Sequence, residues 1–142
     1  MFYLRTGDII PNVQIGLIKI GDSKSNIELI SKNFIIKHLP AHDLYVGGDI
    51  QIWLHRATNC ITQIMAYGFF AGKFADRFGI GSYLCDIEDY LREKASEKLD
   101  TYLFTSVDGI CFQLNDIDVD WDDEEWFKAN SPIEYITIFK SD

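Results

Sequence analysis

The residues of this chain with catalytic or metal-binding chemistry to offer are three histidines, three cysteines and a dense run of carboxylates. His38 and His42 stand four apart, the spacing that on a helix lets two imidazoles share one metal ion. Pro40 lies between them and breaks that register, and no neighbouring glutamate completes a zinc motif, so both are expected in a turn or on the surface. His55 and Cys60 offer a base and a nucleophile across a hairpin turn, but nothing nearby orients the base or supplies an oxyanion site. Gly47-Gly48 and Gly79-Ile80-Gly81 lack the lysine and the glycine spacing of a phosphate loop and are expected to be turns. Asp116, Asp118 and Asp120 begin like a calcium loop, but Trp121 replaces the glycine at the sixth position and Phe127 the bidentate glutamate at the twelfth. No cofactor and no metal are therefore expected.

The chemistry that remains is recognition. Between Asn115 and Asn130, seven carboxylates and three large aromatics fall within the twelve residues from Asp116 to Phe127. Hairpin connections are usually two to five residues long, and longer ones tend to carry function. Trp121, Trp126 and Phe127 are the candidate anchors, because aromatic side chains dominate the energetic centres of interfaces. Asp118, Asp120, Asp122, Asp123, Glu124 and Glu125 would supply steering and pairing with the lysines or arginines of a partner. Folding of the three aromatics back onto the domain, with the acids only solvating the loop, is the competing expectation.

Those residues must be held by a scaffold, and the scaffold shows itself as an internal repeat. Ile20-Gly21-Asp22-Ser23 with Ile27-Glu28 matches Ile80-Gly81-Ser82-Tyr83 with Ile87-Glu88 at an offset of sixty, and Gly48–Leu54 lies over Asp108–Leu114 at the same offset. The last strand aligns only at seventy-two, Ile61 over Ile133, so the 115–130 segment is an insertion in the second copy. The expectation is a single domain, 1–142, made of two repeats at about 12–70 and 72–140. Each copy predicts an amphipathic helix, with Ile27, Ile30 and Phe34 or Leu84, Ile87 and Leu91 on its apolar face, capped by Asp22-Ser23 or Ser82. Alternating strands follow, with Ile50, Ile52 and Leu54 or Ile110, Phe112 and Leu114 on one side. The fold class is thus α+β: two tandem α-β-β(-β) units forming an antiparallel sheet, with helices packed on one face and the other face partly open.

Composition bounds the partners. The net charge of -9, from 22 acidic against 13 basic side chains, disfavours phosphate-backbone binding and favours basic partners. No apolar run has the length of a signal peptide or a membrane span, so the chain is expected in the cytoplasm, away from membranes, with its odd number of cysteines as free thiols.

Phe78-Gly79-Ile80-Gly81 leading into Asp86-Ile87-Glu88, then Gly109–Phe112 and Pro132–Ile136, resemble a group of small bacterial proteins, some of them similar to immunity proteins that neutralise secreted toxins. The duplicated helix-and-meander unit is also similar to β-lactamase-inhibitor-like folds, which bind proteins. Taken with the acidity, the platform fold and the acid-aromatic insertion, the expectation is a non-enzymatic inhibitor of the immunity kind, a monomer or homodimer, that occludes a basic surface of a cognate toxin. A homo-oligomeric assembly protein using the open sheet face, and an enzyme with an unrecognised site, are the alternatives.

Overall fold

A computed structural model of the chain describes residues 7–115 and 124–141. Within them, three two-residue strands come first, β1 (Ile9–Ile10), β2 (Gln14–Ile15) and β3 (Ile18–Lys19), which form a small antiparallel sheet absent from the sequence expectation. Its turns use left-handed backbone at Asn12 and Gly16, and its inward side chains Ile9, Ile15 and Ile18 are buried. Such short strands have too little periodicity to stand out in a sequence.

The chain continues through α1 (Lys24–Ile30), β4 (Ile35–His38), β5 (His42–Gly47), β6 (Ile50–His55) and β7 (Cys60–Tyr67). A linker bearing Phe70, Phe74 and Phe78, all buried, leads to α2 (Leu84–Leu91), β8 (Ser96–Lys98), β9 (Thr101–Phe104), β10 (Val107–Leu114), α3 (Glu124–Asn130) and β11 (Ile133–Phe139). The eight strands from β4 to β11 make one antiparallel sheet in the order β4-β5-β6-β7-β11-β10-β9-β8. Two four-strand meanders therefore meet at the β7–β11 pair and run outward in the same chain order.

Local details recur across that central pair. The Gly21 amide donates to the Ile61 carbonyl and the Ile61 amide to that of Asp22; likewise the Gly81 amide donates to Ile133 and the Ile133 amide to Ser82. Both glycines have a φ of 92°, a conformation side chains disfavour, immediately before a helix. Trp53 pairs with Gln63 but Leu54 with Ile61, leaving Thr62 as a bulge. In the other meander Gln113 pairs with Tyr135 but Leu114 with Ile133, which leaves Glu134 in the corresponding place.

One sheet face makes the core. Ile52, Ile64, Ile138 and Ile110 stand opposite one another across four strands, next to Ile50, Ala66, Ile136 and Phe112, and all are buried. Ile27 of α1 and Leu84 and Ile87 of α2 pack on that face. Removing each such isoleucine or leucine from water contributes about 1.5–3 kcal/mol, the main term holding helices to sheet.

Several local expectations are corrected. α1 stops at Ile30, so Phe34 lies beyond it, because Ser31 adopts extended backbone while its hydroxyl accepts the Asn33 amide and the β-branched pair Ile35-Ile36 opens β4. The capping hydroxyls do not act as caps: Ser23 is the first N-cap but makes no side-chain cap bond, Tyr83 is the second, and the Ser82 hydroxyl takes the Gly79 amide instead. The outer strands β4 and β8, short and exposed, were not foreseen. The 115–130 segment is not all loop, since its second half is α3.

Candidate functional site

Of the residues expected to bind a partner, Asp118, Asp120, Trp121, Asp122 and Asp123 lie outside the described residues, as do Asp116 and the start of the calcium-like pattern. Glu124 opens α3, and the three that follow diverge in role. Phe127 is buried in the core of this chain, so its ring is not presented outward. Trp126 is 42% exposed. The Glu125 carboxylate is exposed but accepts from the Lys94 ammonium at 3.1 Å and lies 3.5 Å from that of Lys128.

α3 is fixed by a charge network that the sequence did not reveal. Glu88 of α2 and Lys128 of α3 are each only 3% exposed, and the Lys128 ammonium donates to Glu88 Oε2 at 2.9 Å. The same oxygen accepts the Ala95 amide at 2.8 Å, and the Lys94 ammonium lies 3.8 Å from Oε1. Lys128 also lies over the Tyr102 ring, 5.9 Å from its centre. A charged pair desolvated to this degree needs its lone pairs and protons satisfied, and here Oε2 has two donors while Oε1 has, among the described residues, only the more distant Lys94 ammonium. The one available signal was Glu88 on the otherwise apolar face of Leu84, Ile87 and Leu91.

The surface carboxylates that grip their neighbours are held ionised. Hydrogen bonds from Lys94, then the charge of Lys128, keep the Glu125 carboxyl below the usual carboxylate range. Glu93 is lowered in the same way by bonds from Ser106 and Thr105, whose turn it clamps, and Asp43 by His38 and then Arg56. A lowered native value means that each contributes stability in full above the ordinary range near pH 4, and that the contribution disappears as pH falls through the native value. The stability difference between the native chain and Glu93→Gln should thus be constant between about pH 7 and 5 and shrink below about pH 4, as urea midpoints would show. A difference that grows on acidification would contradict this assignment.

The second sheet face has a different character. Leu44, Trp53, Gln63 and Phe139 form one cross-strand row, and Val46, Gln51, Met65, Thr137 and Cys111 the next. None of these side chains belongs to the core, and most are half-buried. Tyr67 and Tyr135 stand at the end of the face with ring centres 6.0 Å apart, beside a cavity of about 350 Å³ that also touches Asn115 and Pro132, where the acidic segment leaves and returns. Carboxylates are scarce on these rows, so the face offers aromatic and aliphatic contact with few charges to desolvate.

His55 and Cys60 stand opposite one another in the β6–β7 register, and each histidine has a neighbour of its own. His38 pairs with Asp43 at 2.8 Å, on either side of the turn that contains Pro40. His42 packs on His55, with ring centres 5.0 Å apart, and the His55 Nδ1 bonds the Thr58 hydroxyl, while the Cys60 thiol donates to the Thr58 carbonyl. Burial pushes the Cys111 thiol up to about 11, so at neutral pH it is not a thiolate. All three cysteines are free thiols. No helix among the described residues is long and apolar enough to cross a membrane. Compared with known proteins, the chain matches no family model, no curated protein and no solved structure at a significant level.

Proposed function

We propose that this protein is a non-enzymatic, cytoplasmic inhibitor of the toxin-immunity kind, which occludes a basic surface on a cognate protein and does so from two tandem copies of one helix-plus-meander unit. The observation that carries the reading is the second face of the eight-stranded sheet. It presents Leu44, Trp53, Met65 and Phe139 outside the core, on a chain whose net charge is -9. An uncharged, half-buried field rich in apolar side chains, on a chain of this net charge, suits a partner that has an apolar centre and a basic rim. Trp126 and Glu125, at the foot of the acidic segment, stand as the described part of the steering rim. The matched glycine bonds, bulges and strand order support descent from one duplicated unit.

The test is affinity for the product of the neighbouring gene. Trp53→Asp on the face and Trp126→Ala on α3 should each weaken binding by about 2 kcal/mol or more, and added salt should slow association. Binding indifferent to both substitutions and to salt would refute the assignment.

A second reading is that the same face joins copies of this chain. Ile35, which extends the Val46 row of that face onto β4 and is exposed, favours it. Sedimentation equilibrium separates the two readings, since an inhibitor is expected to be monomeric or dimeric and an assembly subunit larger.

A further inference from the structure

The two halves differ at one matched place. Glu88 aligns with Glu28, and the sheet register carries the match further: Tyr102 pairs with Phe112 as Tyr45 pairs with Ile52, so Tyr102 and Tyr45 occupy corresponding positions. In the second half, Glu88 and the Tyr102 ring receive the Lys128 ammonium of α3. The first half has no corresponding helix, because only a short turn joins β6 to β7.

What stands there is a cavity of about 260 Å³ lined by Glu28, Ser31, Lys32, Phe34, Ile36 and Tyr45. That volume is below the range of drug-sized ligand sites and fits a single long side chain. Tyr45 is 2% exposed, and its hydroxyl is buried with no hydrogen-bond partner among the described residues. A buried hydroxyl left unpaired forfeits its bonds to water, an arrangement that native structures seldom keep without use. Burial and then the nearby charges of Asp43 and Glu28 raise this phenol, so it stays neutral with its oxygen able to accept. Phe34 packs edge-on to Tyr45 at 6.1 Å and gives the cavity an aromatic wall.

The rim is apolar where its counterpart is charged. Leu29, 84% exposed, takes the place of Asp89, and Ile36, 44% exposed and paired with Tyr45, takes that of Glu97, which pairs with Tyr102. Lys24 lies 4.0 Å from Glu28, with both side chains more than half exposed, so it is a weak competitor for that carboxylate. Lys32 is the cation among the lining residues.

We propose that this cleft accepts a lysine side chain projecting from an apolar helical segment of the protein partner, its ammonium between Glu28 and the Tyr45 hydroxyl and its flanking residues on Leu29 and Ile36. The inference rests on the protein-binding reading above and supplies the chemistry of the contact. The occupant is a partner and not α3 of a second copy, because Lys128 and Phe127 of each copy are already buried at home.

The test needs no partner. A helix-stapled synthetic peptide of the α3 sequence, Glu124–Ser131, is titrated into the isotope-labelled full chain and followed by amide chemical shifts. Shifts are expected at Glu28, Ser31, Phe34 and Tyr45, and a peptide with norleucine in place of lysine should bind at least about tenfold more weakly, as should Glu28→Gln protein with the lysine peptide. Tyr45→Phe should also weaken binding while leaving the stability of the free protein unchanged or raised, which a merely structural hydroxyl would not do. Shifts confined to the Glu88 and Tyr102 region, equal binding of the norleucine peptide, or a concentration-dependent dimer abolished by Glu28→Gln would each overturn the proposal. Because the probe is the peptide, these failures are distinct from failure to bind the neighbouring gene product.

Discussion

Lys128→Ala is expected to destabilise the fold by about 3–5 kcal/mol, far more than a typical lysine truncation, because it strands the Glu88 carboxylate in a nearly dry site. The pair is 2.9 Å apart, and Glu88 Oε1 is buried without a hydrogen-bond partner among the described residues, so no spare donor stands ready to replace the ammonium. Lys94, at 3.8 Å and mostly exposed, could swing in and recover part of the loss. Urea denaturation reads the effect directly. The double variant Glu88→Leu, Lys128→Met should recover most of it, since a hydrophobic pair of similar size avoids the desolvation of two ions. A single variant within about 1 kcal/mol of the native chain would mean that the pair is open to water and that α3 is not anchored by it. The consequence reaches function, because α3 fixes the C-terminal end of the acidic segment.

Phe112→Ala should cost about 3–5 kcal/mol, the loss for a fully buried aromatic whose site cannot collapse. Its ring lies 6.1 Å from that of Phe104 and 6.2 Å from that of Phe74, so three separate pieces of chain converge on it: β10, β9 and the linker before α2. The strands on either side are fixed by backbone pairing, which keeps the cavity from closing. Trp53→Ala, on the second face, should cost much less, since that side chain is outside the core. Equal losses at the two positions would show that both faces are packed and would remove the platform from the account.

Much of this arrangement was legible from periodicity. The buried alternation at Ile50, Ile52 and Leu54, and at Ile110, Phe112 and Leu114, fell where a period of two placed it. The pairings of Leu54 with Ile61 and of Leu114 with Ile133 fall in the hairpins to which the offsets of sixty and seventy-two assigned those strands. Features set by tertiary contact were not legible. The end of α1 at Ile30 depends on Ser31 leaving helical backbone, and the strand β8, Ser96–Lys98, has no apolar alternation at all and exists by pairing with β9. Phe127 and Trp126 are neighbours of similar type, and only the packing of α3 against α2 turns one inward and leaves the other half-exposed. The roles of Glu88, Lys128 and Tyr45 are also properties of packing, since nothing in a lone Glu, Lys or Tyr announces its burial.

Recognition of a basic protein is tested by quantitative capture of the neighbouring gene product by the native chain and by a variant with residues 116–123 replaced by a short neutral turn. The replacement stops before α3, because Phe127 and Lys128 hold the fold. Stoichiometric capture by the native chain is expected, with a loss of affinity, through a slower on-rate, in the equally stable variant. Failure of the native chain to capture that protein at micromolar concentration, with the fold intact, would contradict it.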